Sequence, residues 1–217
     1  MQPRAVLWDM DGTLLDSAEY HWLAWHKILA GEGFELAHDQ FVATFGQRND
    51  TILRDWLGAD LPIGEIDRIG DAKEARYREL VRTSGITLLP GVGRWLKLLQ
   101  ADGWRQAIAS AAPRANVEAI VAALGLAAYF DAISSAEDVQ RGKPDPQVFL
   151  VAAERVGAPP ARCIVIEDAP AGLLGARRGG MRAIGVRSSH ADLQADIVVD
   201  TLAELPDDVF ERLIPAG

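Results

Sequence analysis

From about residue 89 the chain alternates short apolar runs with helical patterns. RQAIAS (105–110), YFDAISS (129–135), RCIVIED (162–168), MRAIGV (181–186) and an edge-like DIVVD (196–200) read as strands. PRANVEAIVAALGL (113–126), PQVFLVAAERVG (146–157) and PAGLLGARRGG (170–180) read as helices, punctuated by Pro113, Gly125, Gly157 and the Gly179–Gly180 pair. Strand–helix alternation of this kind dictates an α/β fold: a parallel, Rossmann-like sheet flanked by helices on both faces.

The first strand lies far upstream, in AVLWD at the N-terminus. Residues 17–88 interrupt the alternation with helical patterns and no convincing strand: SAEYHWLAWHKILAGEGF, HDQFVATFG, RNDTILRDWLG and IGEIDRIGDAKEARYRELVRTSG. Asp16 and Glu19 have capping-box spacing at the first of these helices. The expected organisation is a core of residues 1–16 and 89–217, with a helical insertion at 17–88. The chain re-enters the core near Leu89–Pro90–Gly91.

Composition narrows the function classes. The chain has 217 residues, 49% of them hydrophobic, which suffices for a core without a metal or disulfide staple. A net charge of −9 and the lack of a basic patch argue against nucleic acid and anionic membranes as partners. No apolar run is long enough to span a bilayer, and MQPRAVLWD enters a strand without a signal-peptide pattern. The single cysteine, Cys163, sits in an apolar run and reads as a buried structural thiol. A soluble, cytoplasmic monomer is expected. His38 and His190 read as surface loop residues.

Ligands of an open parallel sheet bind beyond the carboxyl ends of its strands, so the residues at those ends carry the information. LWDMDGTLLD (7–16) ends the first strand in Asp9 and Asp11, which share one face of an extended chain. Two crowded carboxylates disfavour each other's ionisation. The second strand ends in Ser110, a later loop carries Lys143 in GKPDP, and another strand ends in Glu167–Asp168. Each alone has a bland reading as a cap, a turn or a solvated side chain. Together they suit phosphoryl transfer: carboxylates for Mg²⁺, a carboxylate nucleophile, a hydroxyl before a helix N-terminus, and a lysine.

In that order and spacing the residues resemble the haloacid dehalogenase-like superfamily, in the subgroup containing β-phosphoglucomutase and many small-metabolite phosphatases. DMDGT (9–13), Ser110, Lys143 in GKPDP, and Glu167–Asp168 in IEDAPAG are similar to its four motifs. The resemblance spans essentially the whole chain. It implies Asp9 as nucleophile, and Asp11 as general acid/base with its backbone carbonyl on the metal. It further implies Asp9 and Asp168 as Mg²⁺ ligands, Glu167 ligating or supporting them, and Ser110, Ala111 and Lys143 around the phosphoryl group. The 17–88 insertion would be a cap closing over the site. Two positions depart from the pattern: Ala169 stands where serine is common, and SAAPRAN supplies little hydroxyl support after Ser110. An acid at position 11 favours phosphoryl transfer over dehalogenation.

The leading expectation is a Mg²⁺-dependent phosphatase of a small phosphorylated metabolite, a sugar or polyol phosphate. The alternative is a β-phosphoglucomutase-like isomerase, because DSAEYHWLAWHKILAGEG resembles the mutase's first cap helix, with His21 at the position of its histidine. Arg48 and Arg78 are candidates for a distal phosphate, and His21 and Trp25 for substrate contact or simple cap packing. A phospho-receiver module shares the strand-end residue types but has about half this length and no such insertion. PGVGRW (90–95) lacks the third glycine of a dinucleotide fingerprint and does not follow a strand.

Overall fold

A computed structural model describes residues 2–215, which divide into two units. One comprises the residues up to 16 together with those from 87 onward; the other is residues 17–86.

The first unit begins with β1 (Ala5–Trp8), whose four side chains are all buried. After the helical unit it continues through α5 (Val92–Ala101), β2 (Arg105–Ala109), α6 (Arg114–Ala123), β3 (Ala132–Ser134) and α7 (Gln147–Arg155). It then runs through β4 (Cys163–Glu167), α8 (Pro170–Arg178), β5 (Arg182–Val186), β6 (Ile197–Val199) and α9 (Val209–Leu213). All strand pairs are parallel and the order is β3-β2-β1-β4-β5-β6. Trp8 is level with Ile108 on one side and Ile166 on the other. The order reverses at β1, so the crevice beyond its carboxyl end is a topological switch point.

Period-two alternation assigns the two faces of the sheet. Leu7, Ala107 and Val165 pack with Val148, Phe149 and Ala152 of α7 and Leu173 and Ala176 of α8. On the opposite face the Trp8 indole donates to Gln106 Oε1 at 3.1 Å, and Gln106 Nε2 donates to the Leu96 carbonyl of α5 at 3.0 Å. The buried indole and amide on this face are thus both satisfied. Cys163 lies in β4 at 0% exposure, and burial pushes its thiol up to about 12, as an inert structural cysteine requires.

The second unit contains α1 (Ala18–Gly31), α2 (His38–Thr44), α3 (Asn49–Leu57) and α4 (Ile63–Ser84). Trp25, Leu29, Phe41, Leu53, Trp56 and Ile66 belong to its own apolar core. Trp25 meets Trp56 edge to face, at 5.3 Å between ring centroids.

Several local expectations are corrected. The Asp16–Glu19 box does not form: Ser17 occupies the N-cap, which makes Tyr20 the third helical residue, and Tyr20 cannot return the reciprocal bond. His38 opens α2 instead of lying in a loop. Pro113 is the N-cap of α6, which starts at Arg114. The strand expected at 129–135 shortens to β3, because Ala127–Tyr129 forms a 3-10 turn first. Two helices are added to those expected: α5, whose Val92, Trp95, Leu96 and Leu99 recur at helical spacing and are buried, and the five-residue α9.

Candidate active site

The carboxyl ends of β1 and β4 meet at the switch point. Asp9 is the first residue past β1, and its backbone N–H donates to the Ile166 carbonyl at 2.9 Å. That bond sets it beside Glu167, the last residue of β4, and Asp168 follows immediately. Asp9, Glu167 and Asp168 are 7%, 1% and 2% exposed, and one carboxylate oxygen from each lies within 4.8 Å of the others. Lys143 reaches in from the loop before α7. Its Nζ donates to Asp9 Oδ1 at 2.5 Å and to Glu167 Oε2 at 2.7 Å. Glu167 Oε1 also accepts the Ala169 N–H at 3.0 Å, so the missing serine at 169 leaves Glu167 with partners.

Three buried carboxylates share this one ammonium, and the imbalance shows in their proton affinities. Burial raises Asp9 to about 7, the Glu167 charge adds to that, and Lys143 opposes it. Burial also raises Glu167 to about 7 against the pull of Lys143, with Asp168 pushing upward. Asp168 rises to about 7 through burial and the Asp9 charge. For Lys143, burial favours the neutral amine, but Asp9 and Glu167 outweigh it and hold the ammonium above its ordinary range. A buried group of hard oxygen donors with surplus negative charge fits a divalent cation of the Mg²⁺ or Ca²⁺ type.

The β1 loop is shaped to leave that cluster room. Gly12 has φ +79°, and a Cβ there would fall 2.1 Å from Asp168 Oδ2. Gly172 in α8 does the same for the neighbouring acid, since its Cβ would lie 2.0 Å from Glu167 Oε2. The Thr13 hydroxyl donates to Asp168 Oδ1 at 3.3 Å. Asp11 is half-buried and bridges Leu15 through its backbone. Its carboxylate is not one of the clustered three, and the resemblance assigns its backbone carbonyl to the metal. Ser110 follows β2 at 1% exposure; its Oγ accepts the Ala112 N–H at 3.0 Å, and Ala111 lies half-buried between them. The first N–H of α6 is already taken, because Arg114 N donates to both oxygens of Glu137 at 2.9 and 3.0 Å.

A family profile described as haloacid dehalogenase-like hydrolase matches residues 3–180. The chain belongs to that family. Fructose-1-phosphate phosphatase YqaB of Escherichia coli is 33% identical over 84% of this chain and 95% of its own. Beta-phosphoglucomutase of Bacillus subtilis is 33% identical over 93% of this chain and 91% of its own. A crystal structure of beta-phosphoglucomutase from Clostridium difficile superposes with a TM-score of 0.86 at 26% identity, covering 97% of this chain and 96% of that one.

In the helical unit of this hydrolase, His21 and Trp25 lie against one buried lysine, Lys73. His21 is buried, stacks on Tyr77 at 4.0 Å, and its Nδ1 lies 2.8 Å from Lys73 Nζ. Trp25 is buried in the apolar core, with Lys73 Nζ 5.0 Å from its ring centre. Arg48 is the half-buried N-cap residue of α3 and pairs with Asp50 at 3.1 Å. Arg78 is half-buried on α4. Sequence reading passed over Lys73 and Glu74, which are 2% and 4% exposed and paired at 2.8 Å, with Asn49 donating to Glu74 at 2.7 Å. An adjacent Lys–Glu pair on a charged helix gives no sign of burial. Only the three-to-four spacing of Ile66, Ile69, Lys73 and Tyr77 hints that Lys73 lies on the inward face.

Proposed function

We propose that the chain is a Mg²⁺-dependent phosphatase that hydrolyses a small phosphorylated metabolite, a sugar or polyol phosphate, through an aspartyl-phosphate on Asp9. The observation that carries this reading is the placement of Asp9, held by Lys143 and flanked by Glu167 and Asp168 at the switch point. Asp9, the Asp11 carbonyl and Asp168 would hold the cation, with Glu167 ligating or supporting them. The ion would neutralise the approach of an anionic phosphate to a cluster of carboxylates.

Asp9 attacks phosphorus, forming the Asp9–phosphate bond as the ester P–O bond breaks. Asp11 gives its proton to the departing alkoxide. It then takes a proton from the water that attacks the phosphoryl group, and Asp9 is released as carboxylate alongside inorganic phosphate. Lys143 keeps its proton throughout and compensates charge on Asp9 and on the phosphoryl oxygens. Ser110, with its oxygen fixed by Ala112 N–H, and Ala111 would orient that group. The helical unit would act as a cap that selects the organic part of the substrate, with His21, Arg48 and Arg78 as its candidate contacts and Trp25 as support.

The test is phosphate release from a panel of phosphate esters, including sugar 1-phosphates, with and without Mg²⁺. Asp9→Asn and Asp11→Asn should each abolish turnover while the circular dichroism spectrum stays unchanged. Turnover surviving in either variant overturns the reading. A coupled assay converting β-glucose 1-phosphate to glucose 6-phosphate, primed with the bisphosphate, separates the rival: isomerisation without net phosphate release makes the chain a mutase.

A further inference from the structure

Asp168 has an unusual difficulty for a buried carboxylate: its own stretch of chain offers it no backbone donor, only the side chain of Glu167. The next N–H, at Ala169, is spent on Glu167 Oε1 at 3.0 Å. The residue after that is Pro170, which has no N–H to give. The backbone N–H of Asp168 itself points to Glu167 Oε1 at 3.2 Å. Further donors must therefore arrive from other strands. Thr13, from the β1 loop, reaches Asp168 Oδ1 only at 3.3 Å, at the long end of the range for a hydroxyl donor.

A second hydroxyl comes from Ser189, in the turn that follows β5. Its hydroxyl bonds to the Asp168 carboxylate. The turn is built to put it there. Arg187 N donates to the Val199 carbonyl at 2.9 Å, which ties its start to β6, and Ser188 N donates to the Val186 carbonyl at 2.9 Å. The Ser188 hydroxyl donates to the Gly12 carbonyl, which fastens the turn to the β1 loop. Asp168 Oδ2 and Ser189 Oγ both press against Gly12, within 2.1 and 2.7 Å of where a side chain would begin. Gly12, Asp168 and Ser189 thus form one packed contact among three strand ends.

We propose that Ser189 is a positioning residue for Asp168, fixing its carboxylate toward the cation position shared with Asp9 and Glu167. A carboxylate with fewer hydroxyl donors can rotate away from that position, and each rotamer lost on binding weakens the site. The Ser189 bond removes this freedom in advance. The inference rests on the metal-site part of the function proposed above, though not on the identity of the substrate.

The test uses the full chain and Mn²⁺ alone, with free Mn²⁺ followed by electron paramagnetic resonance in the absence of substrate. Ser189→Ala should bind Mn²⁺ about tenfold more weakly, the scale of one hydrogen bond to a charged group. Ser189→Thr, which keeps the hydroxyl, should stay within about twofold of the parent. Thermal midpoints measured without metal show that each variant is folded. In turnover, the Mg²⁺ concentration for half-maximal rate should rise in Ser189→Ala with little change in kcat at saturation. Parent-like Mn²⁺ affinity in Ser189→Ala overturns the proposal, as does equal weakening by Ala and Thr, which would point to packing instead of the hydroxyl. Asp168→Asn that binds Mn²⁺ as well as the parent removes the cation site and this inference with it. Failure to hydrolyse any phosphate ester, with the Ser189 effect on Mn²⁺ intact, overturns the phosphatase reading alone.

Discussion

Lys143 Nζ stands 2.5 Å from Asp9 Oδ1, and residues 134 apart in sequence are thereby joined as a buried ion pair. The same ammonium holds Glu167, so its removal strands two buried carboxylates at once. Lys143→Met should destabilise the metal-free protein by about 3–5 kcal/mol at pH 8, as expected when one partner of a buried pair is deleted. At pH 5, where Asp9 and Glu167 can take up protons, much of that loss should disappear. Urea unfolding at the two pH values measures the difference; an equal loss at both would contradict the pairing.

The three carboxylates also set a pH trend for the metal-free protein. Their folded-state values, about 7 for Asp9, Glu167 and Asp168, lie above the ordinary 3.8 and 4.5. The folded state therefore binds more protons than the unfolded chain. The resulting stability is fully present below about pH 4 and is lost as pH rises through 7. In chelator, the thermal midpoint should fall by at least about 5 °C between pH 5 and pH 8. Millimolar Mg²⁺ at pH 8 should recover most of it by binding the folded state alone. A midpoint that rises over this window contradicts the charge balance.

Glycine at position 172 costs helix propensity, and in an ordinary surface helix Gly→Ala would stabilise by about 1 kcal/mol. Here the sign reverses. The new Cβ would meet Glu167 Cδ at 2.2 Å and Cγ at 2.5 Å, and Glu167 is 1% exposed with nowhere to go. Gly172→Ala should destabilise by about 2 kcal/mol or more and impair turnover through the displaced Glu167–Lys143 pair. Calorimetry gives the sign directly.

Why Gly172 could not be anticipated shows what sequence does and does not carry. Local patterns sufficed for the sheet: RCIVIED became β4 and MRAIGV became β5 within a residue or two, because buried parallel strands read as continuous apolar runs. Strand ends then located Asp9, Ser110 and Glu167–Asp168, since the carboxyl edge of a parallel sheet collects the ligand. Contacts that join distant segments left no local trace. Ser189 lies in a polar turn like many others until β5 brings it to Asp168. Lys73 and Glu74 look like solvated helix residues until α1 brings His21 to the lysine and α3 brings Asn49 to the glutamate.

Asp138 illustrates a polar hub outside the candidate site. Arg155 holds it in a two-pronged pair at 2.6 and 2.9 Å, and Arg114 adds a bond at 2.6 Å. The Ser135 N–H donates at 2.9 Å. The Arg155 bond, ahead of the opposing effect of burial, holds its carboxyl well below the ordinary 3.8. Its contribution is present above that value and is lost as the solution becomes more acid. Because both arginines are more than a third exposed, solvent weakens the network, and Asp138→Asn should cost about 1–2 kcal/mol at pH 7. The gap between parent and variant should narrow as pH falls below 3.8 and stay open at pH 3.

The last prediction concerns the helical unit. Lys73 is a buried ammonium whose partners are His21 Nδ1 and Glu74 Oε1, both at 2.8 Å, with the Trp25 and Tyr77 rings at 5.0 and 5.6 Å. Opposing the penalty of burial, the Lys73 charge helps keep the Glu74 carboxyl below its ordinary range. Lys73→Met keeps an apolar stem and removes the charge, so buried Glu74 loses the cation at 2.8 Å while Asn49 still donates to it at 2.7 Å. The expected loss is about 3 kcal/mol, or a midpoint lower by about 10 °C. The double variant Lys73→Met/Glu74→Gln should recover part of it, because the uncompensated charge has gone. A double variant no more stable than Lys73→Met would show that the lysine matters for packing instead of for neutralising Glu74.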